Sequence, residues 1–391
     1  MLKKRILVGK HTGPGAGLVE AGPFLFTSGC DGAREPEAGR IVPALAGAAE
    51  AQCENSYGAI ASLLRQANLG MDAVVRLDHF TSSQDWLPRR QAIRARFFGK
   101  PAPLASTGVA AKMAGINMLT TAVIAVRPPE EKKILVSGPA YRMENISSAV
   151  LAGPLLFISG LRGTVDPRSG VAAPEETPDA LQAQVRICYE VMKAILSQCG
   201  ATTDDILRLD CFLRDVHRSG EEIEARRSAL GEVECAATTV GLPLGARGEI
   251  EITALALAPG QGRKKVYQRA NGAGVAAVCG GGLVFVGECL GGLDETTTQP
   301  LRELADNPEK QIHNALDSLV ERLRSCGAGL GAIARLDVYL RDIYWVDRLE
   351  KILRSRFRTD LPAVVVAGAE LSGISSVSLS AIAVQDGGQE S

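Results

Sequence analysis

The side chains able to do chemistry in this chain are few and scattered. Glu288 and Glu350 come first: brought together and buried, like charge would lift one carboxyl toward neutrality, and such a pair can activate water. Against this stands the ordinary fate of glutamate, which is to sit solvated at the surface. Ser28 and Ser159, followed by Gly29 and Gly160, can hold a substrate oxygen or act as nucleophiles. A nucleophilic serine needs an adjacent base, and none lies nearby, so turn capping is the stronger expectation for both. A third turn of the same kind reads Val286-Gly287-Glu288, exchanging the serine for Gly287 and bringing in the carboxylate. His11, ahead of a Gly-Pro-Gly-Ala-Gly run, is the candidate general base among four histidines that share no spacing. The run lacks the strand-to-helix context of a phosphate loop and reads as a turn.

Those turns recur because the chain repeats itself. The segment EAGPFLFTSGC at 20–30 returns as LAGPLLFISGL at 151–161 and CGGGLVFVGEC at 279–289, with Phe26, Phe157 and Phe285 spaced 131 and 128 residues apart. A second marker, Arg-Leu-Asp with an aromatic two residues on, runs Arg76 to Phe80, Arg208 to Phe212 and Arg335 to Tyr339, at spacings of 132 and 127. Two independent markers with one period predict tandem domains over 1–130, 131–260 and 261–391. The aspartates Asp78, Asp210 and Asp337 recur where the turns diverge, which points to a structural ion pair or turn contact rather than to catalysis.

Between the two markers lies an apolar stripe of helical period: Cys53, Tyr57, Ile60 and Leu64; Val185, Cys188, Met192 and Ile195; Ile312, Leu316, Leu319 and Leu323. Thr177 before Pro178 and Asn307 before Pro308 supply a cap ahead of a proline at the first helical position. Shorter helices are predicted near 86–98, 219–230 and 345–357, and closing strands over 118–126, 249–257 and 376–384. The arginines of the second helices (Arg94, Arg96, Arg226, Arg227, Arg354, Arg356) form a solvated face by default, and are the first substitutes to examine for binding an anion. This order predicts an α+β domain, a mixed sheet with two helices on one face. The uncovered face of each sheet needs a partner, and three such faces can close about a pseudo-threefold axis, leaving clefts between repeats.

Composition narrows the function. A net charge of −1 with 46% apolar residues describes a globular chain without the basic footprint of nucleic-acid binding. No secretory signal or membrane-length apolar run is visible, so a cytoplasmic location is expected, with no membrane partner. The nine cysteines stand singly, without metal-ligand spacing, so no metal and no disulfide framework is expected.

The Ser-Gly turn after an apolar strand, Arg214-Asp215 and Arg341-Asp342 ending the middle strands, Thr238 to Gly241, and the strand from Glu249 to Ala256 together resemble the reactive-intermediate deaminase family, RidA or YjgF, also called endoribonuclease L-PSP. The resemblance implies a chorismate-mutase-like α+β fold, a trimer with clefts between subunits, and hydrolysis of enamines or imines without a cofactor. It implies an arginine that pairs with a substrate carboxylate, and this sequence carries Ala105, Ala237 and Val364 at the matching positions. The family's acid on the last strand falls at Ala122, Thr253 and Ser380, its pocket asparagine near Gln91, Ile223 and Glu350, and its early tyrosine near Gly15, Ile146 and Ala273. Thr107 and Thr239 fall where the family often keeps a cleft Cys or Thr.

The expectation is thus a cofactor-independent hydrolase acting on a C–N bond (imine, enamine or cyclic amide) of a small metabolite, in one or two of the clefts. Glu350, Glu288 and His11 are its candidate catalytic groups, and Ser28, Gly29, Gln91, Thr107, Ser159, Gly160, Thr239 and Gly287 its binding residues. The alternative is a noncatalytic metabolite- or partner-binding protein. Either would be a monomeric pseudo-trimer or a dimer of it.

Overall fold

The structure, a computed structural model, describes residues 3–9, 13–36, 39–100, 102–130, 132–135, 146–166, 169–174, 177, 179–245 and 248–385. Repeat 1 holds β1 (Lys4–Val8), β2 (Leu18–Ala21), β3 (Phe24–Thr27), β4 (Cys30–Asp31), α1 (Ala49–Gln66), β5 (Val74–Thr81), α2 (Leu87–Phe98), β6 (Ala105–Ala110) and β7 (Leu119–Val126). Repeat 2 holds β8 (Lys132–Leu135), β9 (Ala149–Ala152), β10 (Leu155–Leu161), α3 (Ala180–Gln198), β11 (Ile206–Leu213), α4 (Ser219–Leu230), β12 (Ala236–Gly241) and β13 (Ile250–Leu257). Repeat 3 holds β14 (Lys265–Gln268), β15 (Val275–Gly280), β16 (Leu283–Leu290), α5 (Pro308–Arg324), β17 (Ile333–Leu340), α6 (Val346–Phe357), β18 (Ala363–Gly368) and β19 (Val377–Val384).

The three sheets share one topology. Their orders are β1-β2-β3-β7-β5-β6, with β4 also on β7, then β8-β9-β10-β13-β11-β12 and β14-β15-β16-β19-β17-β18. Only the last pair of each is parallel, so each sheet is mixed. The helix pairs form where the periodicity places them, and the apolar stripe of each long helix buries against its own sheet. Asn307 caps α5 through Lys310 N, with Pro308 at the first turn; α3 begins at Ala180, and Pro178 lies outside the described residues.

The opposite faces of the sheets meet one another. Phe26, Phe157 and Phe285 belong to one buried cluster, and the Phe24 and Phe157 rings stand edge-on at 5.6 Å. Strand alternation explains the Arg-Leu-Asp marker, since residues two apart share a face. Arg76, Asp78 and Phe80 and their counterparts project between the repeats. Each arginine Nε bonds the aspartate of its own strand at 2.8 Å. Its far end reaches the next repeat: Arg208 to Asp337 at 2.8 Å, Arg335 to Asp78 at 2.7 Å and Arg76 to Asp210 at 3.9 Å. Six charges, each at most 5% exposed as residues, thus close a ring of pseudo-threefold symmetry, with Phe80, Phe212 and Tyr339 clustered beside it. The ion pair expected of the recurrent aspartates is therefore the joint between repeats.

A second joint lies at the edge strands. Lys4 donates to Asp360 O, Lys132 to Asp72 O and Val74 O, and Lys264 to Ile206 O and Glu234 O. Each lysine opening a repeat thus bonds backbone of the repeat before it, and Lys4 closes the cycle onto repeat 3.

Candidate functional site

Three clefts run between repeats, each made by the last parallel strand of one repeat and the Phe-bearing strand of the next. The cleft between repeats 1 and 2 joins β6 to β10. Ser159 Oγ donates to Ser147 O at 2.7 Å and accepts from Ser106 N at 2.9 Å, so it staples two strands together. Beside it the Glu251 carboxylate, 2% exposed, accepts from Thr107 Oγ1 at 2.6 Å, from Gly108 N at 3.3 Å and from Arg162 Nε at 2.5 Å. A side chain at Gly160 would enter this cluster, its Cβ 2.8 Å from Thr107 Oγ1. The cleft is filled by its own ion pair.

Between repeats 3 and 1, β18 meets the β3–β4 turn. Ser28 Oγ donates to Ala16 O at 2.7 Å and accepts from Val364 N at 2.8 Å, while Gly29 N donates to Val364 O at 2.9 Å. A cavity of about 80 Å³ remains, lined by Gly29, Asp31, Met113, Thr120, Ile343 and Glu350, among others. Glu350 is paired there with Arg354 of its own helix at 2.8 Å.

The cleft between repeats 2 and 3, where β12 meets β16, is the open one. Its cavity measures about 600 Å³ and is lined from repeat 2 by Ile223, Arg226, Cys235 and Ala237 and from repeat 3 by Arg269, Gly287, Glu288, Glu295 and Arg322, among others. Gly287 takes the place of the stapling serine, and a Cβ there would lie 2.7 Å from Ala237 N. The same irregular stretch of β16 carries Glu288, whose Oε1 accepts from Ser378 Oγ at 3.2 Å. Burial pushes its carboxyl up to about 7, overriding the Ser378 hydroxyl and the Arg322 and Arg269 charges that favour ionisation. Arg322 is engaged by Glu295 at 2.8 and 2.7 Å and by Glu288 O at 2.7 Å. Arg269 Nε and Arg226 Nη1 are buried without a hydrogen-bond partner among the described residues.

Several expectations change. Glu288 and Glu350 do not form a pair: they line different clefts, because each cleft takes its turn from one repeat and its helix from another. His11 lies outside the described residues. Thr107 and Thr239 are not counterparts, for Thr107 stands opposite Asp78 whereas Thr238 stands opposite Asp210, and Gly108 is the match of Thr239. The same register makes Ser106, not Ala105, the counterpart of Ala237 and Val364, each of which has its backbone N–H against the stapling position. The one-residue difference sits in the loop ahead of β6, and no cleft has the arginine. Thr239 and Gln91 are half-buried on β12 and α2, and neither lines the two cavities. Arg94 is buried and Arg226 and Arg227 line the open cavity, Arg227 paired with Glu232, whereas Arg96 and Arg354 keep the solvated face.

Sequence reasoning missed Glu251, Arg162, Arg269 and Arg322. Glu251 stands two residues before Thr253, on the same face of β13, and that spacing was the only available signal. Arg269 and Arg322 had none. Among the described residues no three His, Cys, Asp or Glu side chains converge on a metal position, and no helix is long and apolar enough to cross a membrane.

An intrachain pseudo-trimer of α+β domains with ligand-sized space at a repeat junction defines the class of protein. Residues 140–257 match the family model described as Endoribonuclease L-PSP. The RutC family protein YjgH of Escherichia coli (strain K12) is 32% identical over 83 residues, which is 21% of this chain and 58% of that protein. The match therefore spans little more than half the length of that curated relative. A solved chorismatase, 16% identical, superposes over 80% of this chain and 93% of its own with a TM-score of 0.52, a likeness of fold alone. The structure of RidA from the Antarctic bacterium Psychrobacter sp. is 23% identical and covers 32% of this chain and 99% of its own, with a TM-score of 0.29. Residues 140–257 are thus similar to the endoribonuclease L-PSP family, and the other two repeats carry the same sheet topology in the same polypeptide.

Proposed function

We propose that the chain is a cofactor-independent hydrolase acting on the C–N bond of a small metabolite, an imine, enamine or cyclic amide, in the cleft between repeats 2 and 3. One observation carries this: Glu288 stands in an inter-repeat cavity of about 600 Å³ with its carboxyl lifted to about 7, where acid and base forms are equally available near neutral pH. As carboxylate it takes a proton from water, and the hydroxide equivalent adds to the carbon of C=N. As carboxylic acid it returns the proton to nitrogen, then takes the proton of the carbinolamine hydroxyl and passes it to nitrogen as the C–N bond breaks, so that amine or ammonia leaves a carbonyl behind. One water is consumed and no electrons change hands. A single titrating group replaces the expected pair of carboxylates.

The absence of the family arginine at Ala237 argues for a substrate held differently from 2-aminoacrylate. The reading is tested by supplying imines from a pyridoxal-phosphate enzyme, beside an arginine-bearing family member, and following their loss with the wild type and with Glu288→Gln. Hydrolysis that falls about 100-fold or more in Glu288→Gln supports the assignment. Hydrolysis indifferent to Glu288 refutes it, and binding without turnover of any imine or cyclic amide favours the noncatalytic alternative.

A further inference from the structure

The cavity between repeats 2 and 3 is lined by two arginines that each keep a buried nitrogen unpaired among the described residues. Arg226 leans on Glu222 of its own helix at 3.9 Å, yet its Nη1 has no acceptor among the described residues. Arg269 Nε is in the same condition, since Glu295 Oε1 stands 3.7 Å away and is committed to Arg322. Buried donors without acceptors are costly, and a guanidinium is suited to a carboxylate or phosphate oxygen. The two arginines come from different repeats, Arg226 from α4 and Arg269 from the turn after β14, and they line one cavity.

The wall around them is mixed, and several of its carboxylates are already engaged, Glu295 by Arg322, Glu232 by Arg227 and Glu234 by Gln268. Ile223, Ala237, Val275 and Leu290 line the same space, and Ala237 stands where the family resemblance would place a single central arginine. The counterparts of Arg226 are Arg94 in repeat 1 and Leu353 in repeat 3, by position along α2, α4 and α6. Neither of those residues lines the cavity that remains between repeats 3 and 1. The cations of this site thus stand at separate points of its wall, and Ala237 leaves none at the matching central position.

We propose that the ligand of this cleft is a dianionic metabolite, with two carboxylate or phosphate groups set apart by an apolar chain or ring, one received by Arg226 and the other by Arg269. This rests on the reading above for the identity of the reacting site, with Glu288 facing the middle of the ligand. It does not rest on turnover, so its test is binding.

Isothermal titration of the full chain with succinate, glutarate, adipate and isophthalate is compared with acetate, butyrate and benzoate. The expected result is that at least one diacid binds and its monoacid counterpart does not. Arg226→Met and Arg269→Met should each weaken that diacid roughly 10- to 100-fold, the worth of a charge-assisted hydrogen bond. If Arg226→Met fails to fold, Arg226→Lys keeps a cation beside Glu222 while removing the Nη1 donor, and should weaken the diacid as well. Equal binding of monoacids and diacids, diacid binding untouched by both substitutions, or no binding of any acid overturns the proposal. The activity assay of Glu288→Gln judges the hydrolase reading separately.

Discussion

Arg335 Nη2 donates to Asp78 Oδ2 at 2.7 Å across 257 positions of sequence, tying repeat 3 to repeat 1 in the middle of the molecule. Burial alone would raise the Asp78 carboxyl, and Arg76 and Arg335 reverse that, holding it below the ordinary carboxylate range. Buried ion pairs add little net stability over an apolar core, yet breaking one strands a charge. Asp78→Asn is therefore expected to cost about 3–5 kcal/mol in urea unfolding, by leaving two guanidinium groups short of an acceptor. A loss below about 1 kcal/mol would remove the ring from the account of how the repeats are held.

The same aspartate gives a pH dependence whose sign is fixed. Its folded pKa lies below its unfolded value of about 4, so the stability it contributes is fully present above that value. That contribution is lost as pH falls through the folded pKa. Unfolding free energy measured from pH 5 down to pH 2 should fall more steeply in the wild type than in Asp78→Asn.

Glu288 has the opposite sign. Its folded pKa, near 7, exceeds the unfolded value, so the folded state holds a proton that the unfolded state has released between about pH 4.5 and 7. Stability therefore falls across this window as pH rises, and Glu288→Gln should be more stable than the wild type at pH 8 by roughly 1–3 kcal/mol. The two proteins should match at pH 4. A wild type and variant with parallel stability curves would mean that Glu288 titrates as an ordinary solvated acid.

Much of the architecture was legible in the sequence because two markers, the Phe-bearing turn and the Arg-Leu-Asp strand, mark both ends of the same packing problem. Alternation along β5, β11 and β17 puts arginine, aspartate and aromatic on one face, and no partner for that face exists within a repeat. The site was less legible for a geometric reason. Each cleft takes its strand from one repeat and its turn from the next, so Glu288 and Glu350, both in repeat 3, read as neighbours in sequence logic but serve different clefts. Register was a second obstacle: a one-residue difference ahead of β6 turned Ser106 into Ala105 and Thr238 into Thr239 in the comparison of repeats. Arg269 follows a short edge strand and belongs to neither marker, so nothing in the sequence pointed to it.

The stapling serines and their replacement in repeat 3 allow a paired test. Ser159→Ala removes a hydroxyl that satisfies Ser147 O and Ser106 N, both buried, and should cost about 1–3 kcal/mol through unmet hydrogen bonds. Gly287→Ala acts by a different route, since its Cβ would meet backbone rather than a yielding side chain, 2.7 Å from Ala237 N. Overpacking of this kind should cost about 1–3 kcal/mol, and because β12 must shift, it should also weaken ligand binding in the adjoining cavity. Ser159→Ala should leave that binding unchanged. Equal effects of the two substitutions on binding would mean that the clefts are coupled rather than independent.

The strongest separation of clefts comes from Glu251. Its carboxylate is enclosed by the Thr107 hydroxyl, the Gly108 N–H and the Arg162 guanidinium, so the cleft between repeats 1 and 2 has no vacancy for a ligand carboxylate. If this cluster is only structural, Glu251→Gln, which keeps an amide oxygen for Thr107 but gives up the ion pair, should destabilise the chain by several kcal/mol and leave kcat/KM on the hydrolysed substrate unaltered. The measurement is unfolding and steady-state kinetics on the same preparation, below the temperature at which the variant begins to unfold. A variant as stable as the wild type but about 100-fold slower would move the chemistry to the cleft between repeats 1 and 2, because an acid that matters only to rate is acting on substrate.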